Sequence, residues 1–189
     1  GNYYLSGAYL SAGRGPILET KLPWSTSSSS KSNTLNQKSD YYVNEIDYIS
    51  SKSCDANTIL AIKKNLTEYG AMGAVIYAES PTYVSDDKLA YYYNGSKSIN
   101  HALTIIGWDD DYSASNFKTT PKGNGAWLTK DTYPTIFTGN GTIPAGYHYV
   151  SYYDTNICAS LMSAYKVEAA SFDNKYTNNI HGFSGNIET

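Results

Sequence analysis

The sequence predicts an α+β fold, and three observations carry that expectation. Both segments with helical periodicity end by Gly70. The later residues fall into short apolar runs of strand length. Turn signals such as Asn94-Gly95 and the glycine-rich Gly139–Gly146 separate those runs. Helices early and strands late point to segregated α and β layers, with a mainly antiparallel sheet or barrel in the second half.

Taken in order, Gly1–Gly13 reads as a short helix. Tyr4, Leu5, Ala8, Tyr9 and Ala12 fall at helical spacing, and Gly13 suits a C-terminal cap. Gly15-Pro16 breaks it, and Ile17–Trp24 reads as extended. Ser25–Ser39, with the run Ser27–Ser30, has the composition of an exposed loop or insertion. Tyr41–Ile49 alternates as a strand does. Asn57–Tyr69 gives the clearest helix: Ile59, Ile62, Leu66 and Tyr69 form its stripe, Asp55 or Asn57 caps the start, and Gly70 closes the end. Met72–Ala78 has strand length. Glu79–Asn94 is polar and tyrosine-rich. Tyr147–Asp154 alternates as a half-buried strand, and Leu161–Val167 is a further one. The residues after Glu168 are polar and weakly patterned. We expect one domain over residues 1–168, with 169–189 a linker or the start of another module. There is no internal repeat.

At 189 residues the chain is long enough to bury a real core. Apolar residues make up 41 % and charged ones 16 %, with a formal net charge of −3. The basic residues neither outnumber the acids nor cluster, which argues against a nucleic-acid partner. No apolar run is long enough for a membrane helix. Twenty tyrosines fit strands and amphipathic binding surfaces, as on secreted proteins. The two cysteines, Cys54 and Cys158, are too few for a disulfide scaffold. They either pair once or stay free, and the sequence leaves both open. Three Asn-x-Ser/Thr sites, at Asn65, Asn94 and Asn140, carry little weight in a chain this rich in Asn, Ser and Thr.

Asn100–Tyr133 carries the chemistry. His101 opens one apolar strand, Asp131 ends the next, and a hairpin-type connection lies between them. In an antiparallel pair, the start of the first strand lies near the end of the second, so His101 and Asp131 can meet. An imidazole oriented by a neighbouring oxygen is the base half of a nucleophilic site. Asp109-Asp110-Asp111 lacks the spacing of a calcium loop and reads as a solvated turn. His148 and His181 are too isolated to propose as metal ligands. No metal and no cofactor are expected.

The same stretch resembles papain-family cysteine peptidases, particularly the bacterial secreted ones. In that family an Asn-His-Ala segment runs into Val-Gly-Tyr/Trp-Asp; here it is Asn100-His101-Ala102-Leu103-Thr104-Ile105-Ile106-Gly107-Trp108-Asp109. The family's Lys-Asn-Ser-Trp-Gly region corresponds to Lys130-Asp131-Thr132-Tyr133-Pro134. Its Gly-Tyr-Phe-x-Ile-Ser-Tyr-Tyr-Asp strand corresponds to Gly146-Tyr147-His148-Tyr149-Val150-Ser151-Tyr152-Tyr153-Asp154. Gly1–Leu10, Gly15–Glu19 and Ile62–Val75 match further segments in the same order. The resemblance is therefore collinear from Gly1 to about Val167. It implies a papain-like fold: a partial helical (left) domain and an antiparallel β-barrel-like (right) domain.

It also implies roles. His101 takes the place of the catalytic base, and Asp131 that of its orienting residue. Val75, Ile99 and Ala102 take the place of the apolar pocket for the substrate residue two before the scissile bond. Gly1 and Asn2 correspond to the backbone edge that pairs with extended substrate. Four consecutive positions depart from the pattern. Asp131 replaces the family's Asn, and Thr132-Tyr133-Pro134 replaces Ser-Trp-Gly. An aspartate still accepts a hydrogen bond from the imidazole, and its charge favours a thiolate–imidazolium pair.

The nucleophile is the larger departure. The family places it roughly 130–150 residues before the histidine, hence about 30–50 residues before Gly1. Neither Cys54 nor Cys158 has the family context for it. Two functions follow as expectations. The chain is the C-terminal portion of a papain-like cysteine peptidase whose catalytic thiol lies outside it, and is inactive alone; or it is a catalytically dead relative with a binding or structural role. The expected partners are a peptide or protein substrate, and the missing N-terminal segment or a self-associating copy that covers an apolar face. The expected location is extracellular or at a bacterial cell surface.

Overall fold

The computed structural model describes residues 2–23, 38–79, 82–85, 87–132 and 144–170. Trp24, most of Ser25–Ser39, the core of the Gly139–Gly146 turn, Asn140, His181 and the tail from residue 171 lie outside them. The chain has two compact units, Gly1–Ile46 with Lys166–Thr189, and Asp47–Tyr165.

In the first unit, helix α1 (Tyr3–Ser11) starts where the Asn2 side chain accepts a hydrogen bond from the Leu5 amide, 2.9 Å. Gly13, at φ +78°, ends it in the left-handed region, as the sequence suggests. Its expected apolar stripe is largely uncovered: Tyr4, Leu5 and Tyr9 are exposed, and only Gly7 is buried. Ile17–Trp24 is not extended where it is described. The Lys21 and Leu22 amides both return to the Leu18 carbonyl, while the Leu18 amide is held by the Asp40 carboxylate, 2.9 Å. Asp40 also pairs with Lys21. The Leu18 amide, and after it Lys21, holds the Asp40 carboxyl below its usual range. Strand β1 (Tyr41–Ser50) begins in this unit, and strand β8 (Leu161–Ala169) ends in it. Within the first, Glu168 accepts from Tyr42 and Asn44.

In the second unit, α2 (Ala56–Tyr69) forms as the sequence predicts. Asp55, not Asn57, is its cap, with the carboxylate 2.8 Å from the Thr58 amide. Gly70, at φ +83°, closes it. Strands β2 (Met72–Ile76), β5 (His101–Asp109), β6 (Ala126–Lys130) and β7 (Tyr147–Ser151) carry the core. Two short strands the sequence did not reveal, β3 (Val84–Ser85) and β4 (Ala90–Tyr91), lie in the tyrosine-rich segment. The strands form one sheet in the order β1-β8-β2-β5-β6-β7-β4-β3. The α+β expectation holds, and the characterised pairings are antiparallel except β4 with β7.

Side chains set where two strands stop. β2 ends at Ile76, short of the expected Ala78. The Tyr77 amide is taken by Asn156, and the Asn100 side chain bonds both the amide and the carbonyl of Ala78. β7 ends at Ser151, short of Asp154, because the buried Asp154 carboxylate gathers the amides of Tyr93, Asn156 and Ile157 into a turn.

α2 packs on β2 and β5, joining Ile62 and Leu66 to Met72, Ala74, Ile76, Leu103, Ile105, Trp127, Val150 and Met162 in one core. Tyr91 and Tyr93 are also buried there, in edge and tilted contact with Tyr77 and Tyr83. These tyrosines therefore serve the interior rather than a binding surface. Cys54 and Cys158 form a disulfide, which settles the question the sequence left open. Asn65 is buried and hydrogen-bonded to Asp47, 2.7 Å, so its glycosylation motif is not presented to solvent.

Candidate active site

Residues on one face of a sheet recur every second position, and cross-strand register decides which of them are neighbours. Ile76 on β2 is opposite His101 on β5. Thr104 on β5 is opposite Lys130 on β6. The face bearing Ile76, His101, Leu103 and Ile105 points into the core. On β6 the same face bears Trp127 and Thr129, and Asp131 continues it just past the strand end.

The sequence-predicted pair meets there. His101 Nε2 lies 2.5 Å from Asp131 Oδ2. The His101 side chain is 16 % exposed and that of Asp131 fully buried. One partner reaches the surface while the other is shielded from it, so the contact is electrostatically stronger than a surface pair.

The backbone holds both ends of this contact. Asn100, just before His101, ties the start of β5 to Ala78 through its side chain and to Ile76 through its amide. The Asp131 amide donates to the Gly146 carbonyl, 2.7 Å. Gly146 sits at φ +86°, and a Cβ there would come within 2.8 Å of the Asp131 carbonyl oxygen. Only glycine fits this junction without displacing Asp131.

The other predicted residues are placed differently. Val75 and Ala102 are direct cross-strand partners. They alternate with the inward residues and so occupy the opposite face from His101. Ile99, just before β5, is 46 % exposed. Asn2 belongs to the first unit, where its side chain caps α1. Gly1 lies outside the described residues. The Asp109–Asp111 turn is held by ordinary contacts: Lys63 and Tyr152 bond Asp110, and the Asp111 amide bonds Asp109. Among the described residues no group of His, Cys, Asp and Glu is placed to hold a metal ion.

Sequence reasoning passed over one residue near the pair. His148 on β7 is fully buried and stands opposite Thr129, whose hydroxyl donates to the His148 carbonyl, 2.9 Å. Burial, with help from the charge of His101 and against that of Asp131, pushes its pKa down to about 3. Its place beside the pair depends on register across three strands, which no local pattern displays.

No protein-family model and no curated protein matches this chain. Solved structures do. The cysteine protease and lectin-like domains of Cwp84, a surface layer associated protein of Clostridium difficile, match with a TM-score of 0.71 at 26 % identity, over 88 % of this chain and 36 % of that one. Cwp84 after propeptide cleavage matches at 0.70 and 27 % identity, over 87 % of this chain and 40 % of that one. The bromelain protease from Ananas comosus, in complex with an inhibitor, matches at 0.56 and 16 % identity, over 85 % and 66 %; at that identity the likeness is one of fold alone. The chain thus has the fold of papain-like cysteine protease domains, and it spans two fifths or less of the Cwp84 chains.

Proposed function

We propose that this chain is the C-terminal portion of a papain-like cysteine peptidase, with His101 as base and acid and Asp131 as its orienting residue. The observation that carries the reading is the 2.5 Å contact between His101 Nε2 and a fully buried Asp131 carboxylate. Both cysteines of the chain are bonded to each other. In this reading the nucleophilic thiol therefore comes from a segment beyond these residues. With Nε2 on Asp131, Nδ1 is the nitrogen that exchanges the proton with the nucleophile. The thiolate attacks the peptide carbonyl, the C–N bond breaks, and the imidazolium gives its proton to the leaving amine. His101 then takes a proton from the water that releases the acyl group. The Asp131 carboxylate stabilises the imidazolium throughout.

Val75, Ile99 and Ala102 form the apolar contact for the substrate side chain in this reading, and Gly1 and Asn2 a backbone edge for extended peptide. The substrate is a peptide or protein, and the second partner is the thiol-bearing segment or another copy of the chain. The location is extracellular or on a bacterial surface. Disulfides persist in such compartments, and Cwp84 is surface-layer associated. Among the described residues, no helix is long and apolar enough to cross a membrane.

The test is an epoxide-type thiol probe applied to the protein with its thiol-bearing segment. We expect one label per molecule, no labelling in His101→Ala, and labelling slowed about 100-fold in Asp131→Ala. Asp131→Asn keeps an acceptor oxygen and costs less. A second reading, a non-catalytic binding or structural domain, is favoured by the consumption of both cysteines in one disulfide. Absence of specific labelling from that protein would establish it and overturn the first.

A further inference from the structure

We propose that the groove beyond the end of β7 is a second ligand site, suited to an acidic saccharide: a sugar ring that carries a carboxylate or a phosphate. It is separate from the His101–Asp131 pair and does not rest on the peptidase reading.

The groove has a volume of about 400 Å³, within the range of about 300–1,000 Å³ usual for small-molecule sites. Tyr92, Tyr152 and Tyr153 line it, together with Lys52 and Lys122. All five belong to the second unit. Ser151 at the end of β7 is opposite Ala126 at the start of β6, whereas Asp131 follows the end of β6. Tyr152 and Tyr153 therefore follow the end of the β6–β7 pair that is remote from Asp131.

The walls are braced from within. Lys52 and Ser53 lead into Cys54, which is bonded to the buried Cys158. The Asp154 carboxylate fixes the turn after Tyr153 by accepting from three amides. The Tyr152 ring lies on Trp127, with centroids 4.5 Å apart, and its hydroxyl donates to Asp110. A groove held this way is formed before a ligand arrives, which lowers the ordering cost of binding.

Charge selects an anion. Lys52 and Lys122 are exposed, and among the described residues neither has an acidic partner. Asp154 also lines the groove, but its carboxylate is buried and committed to the three amides. The groove is thus positive in a chain whose net charge is −3. A lysine ammonium is a compact point charge on a flexible stem, and it meets a carboxylate or a phosphate equally well. The Lys122 Nζ stands 5.2 Å from the centroid of the Tyr153 ring, which puts a cation beside an aromatic platform. Tyrosine offers an apolar ring to the C–H face of a sugar and a polar tip to its hydroxyls. A peptide is served less well. The amides of Tyr152, Tyr153, Asp154 and Thr155 all donate within the protein, so this wall has none left for main-chain pairing.

The test is calorimetric titration and backbone NMR of the chain with four probes: trigalacturonate, glucose 6-phosphate, neutral maltotriose and inorganic phosphate. At least one acidic sugar is expected to bind one to one, and comparison of the two identifies which anion the groove takes. Maltotriose, which lacks the charge, and inorganic phosphate, which lacks the ring, should each bind at least about tenfold more weakly. Signals of residues 52–54 and 152–155 should shift, and that of His101 should not. Lys52→Gln and Lys122→Gln, both at exposed positions, should each weaken the acidic sugar about tenfold.

Absence of binding by both acidic sugars at about 10 mM would overturn the proposal. So would unchanged affinity in the double lysine variant. Inorganic phosphate binding as tightly as glucose 6-phosphate would reduce the groove to a charged patch and overturn the saccharide assignment. Tighter binding of a hexaglutamate peptide than of either sugar would overturn it in favour of an acidic peptide. Thiol labelling reads the peptidase proposal separately, so the two can fail independently.

Discussion

His148 and Asp154 are both buried, and burial moves them to opposite sides of their ordinary ranges. His148 is pushed down to about 3, first by burial. Asp154 is pushed up to about 6, again first by burial, against the three amides that hold its carboxylate. Between pH 6.5 and 3 the unfolded chain binds a proton at His148 that the fold refuses, so this contribution is complete above 6.5 and is lost as pH falls. At Asp154 the fold binds the proton more tightly, so stability is greatest below about 4 and falls as pH rises through 6. Each group tilts stability by about 1.4 kcal/mol per pH unit, with opposite sign. Urea unfolding midpoints of the parent should therefore stay nearly level from about pH 4 to 6, the overlap of the two windows. His148→Phe should leave a midpoint that falls across that window, and Asp154→Asn one that rises. Parallel profiles for all three proteins would contradict these assignments.

At the scale of elements, two glycines separate local from tertiary constraint. Gly70 and Gly146 both have positive φ. Nothing lies within 4 Å of a Cβ added at Gly70, so Gly70→Ala pays only for the left-handed backbone, about 1 kcal/mol. At Gly146 the same backbone term is joined by the clash with the Asp131 carbonyl. Gly146→Ala should cost about 2–4 kcal/mol and should also alter the NMR signal of the His101–Asp131 proton. Thermal melts of the two variants check the first statement, and the proton signal checks the second. Equal melting losses would mean that the β6–β7 junction yields. The Gly70 role was legible in the sequence, because a helix stripe ending in glycine is a local signal. The Gly146 role was not, because it depends on which strand end lies alongside.

At the scale of the molecule, the disulfide closes a span of 104 residues that contains α2 and strands β2 to β7. Cross-linking so long a loop restricts the unfolded chain, and removing it should cost about 3–5 kcal/mol. Denaturant unfolding with and without reductant, or of Cys54→Ser with Cys158→Ser, measures this. A loss below about 1 kcal/mol would place the fold's stability in its core alone.

The sequence by itself determined the α+β class, α2 and its closing glycine, the main strands and the candidate pair His101 and Asp131. Those signals are short-range: period, cap residues, glycine at a helix end, and a hairpin that returns one strand end to the other's start. Tertiary structure alone decided the rest. It paired Cys54 with Cys158, turned tyrosines into core, stopped β2 and β7 early with asparagine and aspartate side chains, and brought His148 to the His101–Asp131 face. Each of these depends on contacts between residues far apart in the chain. Cross-strand register sets the last of them, and a shift of one residue would turn His148 to the other face.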